Sequence, residues 1–165
     1  MLQPRFISGV DSTLDESIHI VNCTLRSREA IRCVFGPVLH CFADNGKNEV
    51  DMEGFVDSVI HHEPVPLELS TYEEVLNEVN MPATMFVGKS KDGKNVITIN
   101  QQSLPYSWTE SSSNFAIIFV VTTLLHHCSI VFTRLLNKHS LNHNWTMDAC
   151  ACERAPFHLG LYITK

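Results

Sequence analysis

Residues 111–138 read SSSNFAIIFVVTTLLHHCSIVFTRLLNK, and the prediction of the fold starts from this stretch. Between Phe115 and Thr133 it contains no charged side chain if its histidines are neutral. Apolar residues recur there at alternating steps of four and three, which places them on one stripe of a helix: Ile117, Val121, Leu124, Cys128, Val131 and Leu135. We predict a long apolar helix over about residues 114–138. The alternative is a buried strand over 115–121 that leads into a shorter helix, because Phe, Ile and Val favour strands.

The opposite face of this predicted helix is apolar as well, and its residues are Phe115, Ile118, Phe119, Leu125, Phe132 and Leu136. A helix that is apolar nearly all round must be covered on both sides. The stretch approaches the roughly 20 residues needed to cross a bilayer. His126 and His127 lie in its middle, however, where polar groups are costly in hydrocarbon. We therefore predict a buried core helix and expect no membrane contact.

Turn-forming sequences predict a sheet built from hairpins. The turn at 91–94 (KDGK) would join strands at 83–87 and 95–100, and similar turns occur at 44–47 (DNGK) and 153–156 (ERAP). Ser70 to Glu73 and Thr71 to Glu74 both have capping-box spacing, which predicts a short helix over about 71–80. The predicted fold class is α+β, with a mainly antiparallel sheet packed on the long helix and the short helix.

The first part of the chain carries weaker signals. Residues 5–10 are predicted to form an edge strand, and Asp11–Glu16 a polar turn. Residues 17–24 (SIHIVNCT) alternate in a pattern typical of a strand. Arg26–Phe35 fits either a helix that starts at Ser27 or a further strand, and the sequence leaves both open.

Composition bounds the function. At 165 residues the chain should form one domain. A net charge of −6 gives no basic footprint for nucleic acid. The charged share is 18%, below the roughly 25% of typical soluble domains, which predicts a surface buried by another protein subunit or by a second copy. The N-terminal residues do not read as a signal peptide, and six cysteines are too few for a disulfide scaffold, so an intracellular protein with reduced thiols is expected.

Two proline-containing stretches are the predicted partner-binding sites. Both should be extended and semi-rigid, which lowers the entropy lost on binding, and Tyr and Trp often dominate interfaces. The prolines of the first stretch should also exclude it from the centre of the sheet. The candidate residues are Pro64, Pro66, Leu104, Pro105, Tyr106 and Trp108.

Other chemistry is weakly supported. Imidazole and thiolate are preferred zinc ligands, but the spacing of the candidates His139, His143, Cys150 and Cys152 is not that of a usual zinc knuckle. The remaining cysteines in apolar runs, Cys23, Cys33, Cys41 and Cys128, are predicted to pack as small hydrophobic residues. No phosphate loop, nucleophile elbow or carboxylate pair is recognisable, so no cofactor is predicted. The sequence favours a non-catalytic adaptor or scaffold subunit, with a small His/Cys enzyme or a zinc-stabilised adaptor as alternatives.

Overall fold

The computed structural model describes residues 1–5, 12–35, 60–62, 64–79, 83–103 and 110–141. These residues form a four-stranded sheet with helices, so the fold class is α+β. The elements in chain order are β1 Leu2–Pro4, α1 Ser12–Thr24, α2 over residues 28–35, β2 Val65–Ser70, α3 Tyr72–Val79, β3 Met85–Lys89, β4 Asn95–Asn100 and α4 Glu110–Leu141.

The sheet is mixed, and the prediction of a mainly antiparallel sheet is wrong. Its strand order is β1-β2-β4-β3, with β1 and β4 both parallel to β2 and β3 antiparallel to β4. The parallel pairs join residues far apart in the chain, such as Leu2 with Val65 and Leu67 with Ile97. A hairpin turn has a sequence signal within a few residues, whereas such distant pairings leave no local sequence signal.

The hairpin predicted at 91–94 is confirmed between β3 and β4. The amide of Ser90 donates to the carbonyl of Lys94 at 2.9 Å, and Gly93 adopts a φ of 74°. That left-handed conformation is readily open only to glycine. The hairpins predicted around 44–47 and 153–156 lie outside the described residues, as do 6–10 of the predicted first strand.

The strand predicted at 17–24 is wrong, and so is the turn before it over residues 12–16, because both ranges belong to α1. Leu14, Ile18, Val21 and Leu25 follow steps of four, three and four, and all are buried. Helical spacing therefore overrides the shorter alternation at 17–24. Residues 28–35 are helical as well, and the Ser27 hydroxyl accepts a hydrogen bond from the amide of Ala30 at 3.2 Å, as an N-cap does.

The proline at the start of β2 corrects a second expectation. Pro66 is buried and paired with Gln3 of β1, inside a strand that lies between β1 and β4. The amide of Val65 donates toward the β1 side, to the carbonyl of Met1 at 2.9 Å. Successive residues of a strand point their amides to opposite neighbours, so the nitrogen of Pro66 faces β4. Pairing with β4 begins only at Leu67, so the missing N–H breaks no ladder hydrogen bond.

The short and long helices are both confirmed. In α3, the Glu74 carboxylate accepts from the amide of Thr71 at 2.9 Å, and the Thr71 hydroxyl accepts from the amide of Glu74 at 3.3 Å. This is the capping box with the Thr71 spacing. The long helix α4 is helical through residues 115–121, so the alternative strand there is excluded, and it is slightly longer than predicted.

One hydrophobic core lies between the sheet and the pair α1 and α4. α4 contributes Val120, Leu124, Cys128, Val131 and Phe132, which share this core with the apolar residues of α1 and the strands. Phe132 also meets Phe35 of α2 edge to face, with ring centroids 5.5 Å apart. Edge-to-face contact is a favoured aromatic geometry, so α2 is fixed to the same core.

Side chains from α1 and α4 bind the outer edges of the sheet. Asn22 of α1 accepts a hydrogen bond from the amide of Leu2 at 2.9 Å and donates one to the carbonyl of Leu2 at 3.3 Å. At the other edge, a nitrogen of His127 lies 3.1 Å from the carbonyl oxygen of Met85, and Arg134 donates to the carbonyl of Val87 at 3.1 Å. Unpaired strand edges promote aggregation, and these contacts occupy part of both edges.

Candidate protein-interaction surface

The N-terminal half of α4 exposes three large apolar side chains on one face. Phe115 is 60% exposed, Ile118 58% and Phe119 38%. Their spacing of three and four residues makes them neighbours on the helix surface. We call these three residues the α4 patch. An isolated exposed apolar residue is ordinary, whereas a contiguous group makes this face a candidate contact surface.

The opposite side of α4 explains why this face is left open. Ala116, Val120 and Leu124 are each no more than 1% exposed, and they recur every four residues along the inward stripe. The predicted stripe is confirmed at Leu124, Cys128 and Val131, but in the first turns burial shifts to Ala116 and Val120. Of the predicted opposite face, Leu125 and Phe132 are buried, whereas the α4 patch is not.

Two hydroxyl groups beside the α4 patch are already bonded within the helix. The Thr122 hydroxyl donates to the carbonyl of Ile118 at 2.9 Å, and the Thr123 hydroxyl donates to the carbonyl of Phe119 at 2.7 Å. A hydroxyl that bonds back to its own helix does not compete for a partner's polar groups. The border therefore behaves as a weakly polar surface, and the sequence places no carboxylate, lysine or arginine between Ser111 and Thr133.

By length and composition alone, Asn114–Phe132 could cross a membrane. In this fold 44% of that segment is buried within the protein, and its inner residues share one core with α1 and the sheet. Insertion into a bilayer would separate Leu124 and Phe132 from those contacts. The packing therefore accounts for much of the apolar character of the segment.

The histidine and cysteine residues in the middle of α4 do not form a nucleophile and base. One nitrogen of His127 lies 2.7 Å from the Thr123 carbonyl oxygen and the other 3.1 Å from that of Met85. Burial lowers the pKa of His127 below its ordinary value, although the two carbonyl contacts oppose this. Cys128 is fully buried, and burial raises the pKa of its thiol to about 12. A thiolate is the reactive form, so Cys128 is inert at neutral pH.

A second histidine and cysteine pair lies on the exposed face of α1. The Nε2 atom of His19 is 3.5 Å from the Sγ atom of Cys23, one helical turn further along. Both side chains are exposed rather than enclosed in a cleft. Cys23 and Cys33 are thus not packed as small hydrophobic residues, whereas Cys128 is, and Cys41 lies outside the described residues.

A shallow depression lies elsewhere, beside Met1, Arg26 and His61, with a volume of about 210 Å³. The Nε2 atom of His61 is 3.2 Å from the carbonyl oxygen of Leu25, so this ring ties the connector before β2 to the end of α1. Its described lining contains no cysteine, so it does not provide the concave Cys/His site that an enzyme of that class would need.

The predicted site residues fall into three groups. Pro64 is exposed next to β2, whereas Pro66 is buried inside the strand and is not accessible to a partner. Of the zinc candidates, His139 lies in the last turns of α4. The described part of the chain holds no group of three or more His, Cys, Asp or Glu residues able to share a metal ion. The other candidates lie outside the described residues: Leu104, Pro105, Tyr106, Trp108, His143, Cys150 and Cys152.

The α4 patch and the His19 and Cys23 pair differ in how far the sequence predicts them. The α4 patch is part of the opposite apolar face that the helical spacing had indicated. The His19 and Cys23 pair was missed because residues 17–24 were interpreted as a strand, where residues four apart are separated by about 13 Å. The signal that could have found it is the His-x₃-Cys spacing on a helix.

Comparison with known proteins adds no relative: no family model, no curated protein and no solved structure matches this chain.

Proposed function

We propose that this protein is a non-catalytic interaction subunit of an intracellular assembly, and that the α4 patch is its contact surface. The observation that carries the proposal is the joint exposure of Phe115, Ile118 and Phe119 on a helix whose other side is packed in the core. Burying such side chains against another protein gains roughly 25 cal/mol per Å² of apolar area. The free thiols of Cys23, Cys33 and Cys128 fit a reducing compartment.

The occupant that we propose for the α4 patch is a second copy of the chain. Each copy carries a net charge of −6, so repulsion between two copies is smallest where they meet through a surface that is free of acidic side chains. The uncharged segment between Ser111 and Thr133 supplies such a surface. A basic partner would gain nothing from this face, because it offers no negative charge to pair with.

The size of the α4 patch sets its role in that contact. A stable dimer usually buries about 800 Å² on each partner, more than three partly exposed side chains provide. The α4 patch therefore forms the apolar centre, and neighbouring surface completes the rim. In a two-fold contact the same residues meet from both sides, so the α4 patch of one copy faces the α4 patch of the other.

Photo-crosslinking tests the function and the occupant together. A photoreactive amino acid at position 118 of the purified protein should give a product at twice the chain mass of 18.6 kDa. The same amino acid at position 77, an exposed site on α3, is the matched control and should give none. A crosslink from position 77 but not from position 118 would contradict the proposal.

A further inference from the structure

The His19 and Cys23 pair on α1 has the separation of two ligands that share one metal ion. Its Nε2 and Sγ atoms are 3.5 Å apart on adjacent turns of the same helix. In a tetrahedral zinc site, bonds of about 2.05 Å to nitrogen and 2.3 Å to sulfur place those two atoms about 3.6 Å apart. The observed distance is therefore close to the one that a shared ion requires.

We propose that His19 and Cys23 form an exposed two-ligand site for Zn²⁺ or a closely similar divalent cation. The ion bonds to the Nε2 lone pair and to the thiolate of Cys23, and the proton of the thiol passes to solvent. Water fills the remaining positions, because both side chains are open to it. A nitrogen and sulfur ligand set selects zinc, cobalt or copper over magnesium and calcium, which prefer oxygen.

The surroundings of the pair favour a cation. Asp15 and Glu16 are exposed on the same helix, about one turn before His19. Their negative charge attracts a divalent ion, although no third residue of the described chain completes a larger ligand group. The site is independent of the α4 patch, and neither proposal needs the other.

A two-ligand site binds more weakly than a structural zinc site. If half of the ligands supply about half of the binding free energy of a four-ligand site, the dissociation constant is roughly 1–200 µM near pH 7.

Cobalt titration of the reduced, full-length protein tests the site directly. Co²⁺ bound to a thiolate shows a sulfur-to-metal charge-transfer band in the near ultraviolet, whereas Co²⁺ in water does not. His19→Ala and Cys23→Ala should each lower the bound Co²⁺ by one equivalent and reduce this band. Cys33→Ala, which removes an exposed thiol from α2, is the matched control and should leave both unchanged.

Each variant is compared with the parent protein. Metal bound by other thiols or histidines of the chain is therefore common to both and does not affect the difference. Loss of one equivalent in both His19→Ala and Cys23→Ala, with circular dichroism spectra that match the parent, supports the site. Unchanged Co²⁺ stoichiometry and band intensity in both variants would overturn it, and so would an equal loss in Cys33→Ala.

Discussion

The side chain of Asn22 binds both backbone polar groups of Leu2 on the outer edge of the sheet. Its Oδ1 accepts from the Leu2 amide at 2.9 Å, and its Nδ2 donates to the Leu2 carbonyl at 3.3 Å. A carboxamide thus takes the place that a neighbouring strand would have beside β1. Because β1 has only three residues, this contact fixes a large part of its length to α1.

Replacing Asn22 with Ala should destabilise the protein by ~1–3 kcal/mol, since it leaves the amide and carbonyl of Leu2 without this partner. The exposed edge should also raise the tendency to aggregate. Asn22→Asp keeps the acceptor but loses the donor, so its effect should be intermediate at neutral pH. Urea unfolding followed by circular dichroism measures both changes. Equal stability of Asn22→Ala and the parent would show that the edge contact contributes nothing.

The burial of His127 predicts how stability changes in acid. The pKa of His127 is lowered by burial, so the unfolded chain binds the proton more readily than the folded protein. The free energy of unfolding should therefore fall as the pH decreases below the ordinary histidine pKa of about 6.5. His127→Gln cannot take up this proton, and its stability should fall less between pH 7 and pH 5. Denaturation curves of the parent and of the variant at both pH values check this. The prediction is contradicted if the two proteins lose the same amount of stability.

The three described cysteines should differ sharply in reactivity. Cys128 is fully buried with a thiol pKa raised to about 12, whereas Cys23 and Cys33 are exposed. Brief iodoacetamide treatment at pH 8, followed by peptide mass spectrometry, should modify Cys23 and Cys33 and spare Cys128 until denaturant is added. Modification of Cys128 at the same rate as Cys33 in the native protein would show that the inner side of α4 is open.

Local signals in the sequence predicted the elements whose cause is local. The capping box at Thr71 and Glu74, the turn at Gly93 and the apolar run of α4 each act within a few residues, and each was found. The parallel pairing of β1 with β2 depends on contacts between residues about sixty positions apart. The sequence carries no short-range record of such a contact, so the mixed sheet could not be predicted.

Two periodicities in the same residues explain why the strand predicted at 17–24 is wrong. Residues 17–24 alternate as a strand would, but burial follows the wider spacing of Leu14, Ile18, Val21 and Leu25. A longer window would have favoured the helix. The α4 patch could be anticipated as an apolar face, but its exposure depends on what α1 and the sheet cover, which only the fold determines.

Leu124 should be far more important for stability than Ile118. Leu124 of α4 is fully buried in the core that α4 shares with α1 and the sheet. Leu124→Ala should therefore lower the free energy of unfolding by ~2–5 kcal/mol. Ile118 is 58% exposed, and Ile118→Ala should change stability by less than ~1 kcal/mol. Chemical denaturation of both variants checks the difference. A loss below ~0.5 kcal/mol for Leu124→Ala would mean that the inward stripe of α4 is assigned wrongly.

Sedimentation velocity over a range of micromolar concentrations tests the interaction role of the α4 patch most directly. The parent protein should sediment as a dimer, and Ile118→Glu should weaken this dimer by about tenfold or more, because the variant opposes two carboxylates in an apolar contact. Asn77→Glu adds the same charge at an exposed position of α3 and should leave the dimer unchanged. A parent protein that remains a soluble monomer at several hundred micromolar would contradict the account, as would a dimer that Ile118→Glu does not weaken.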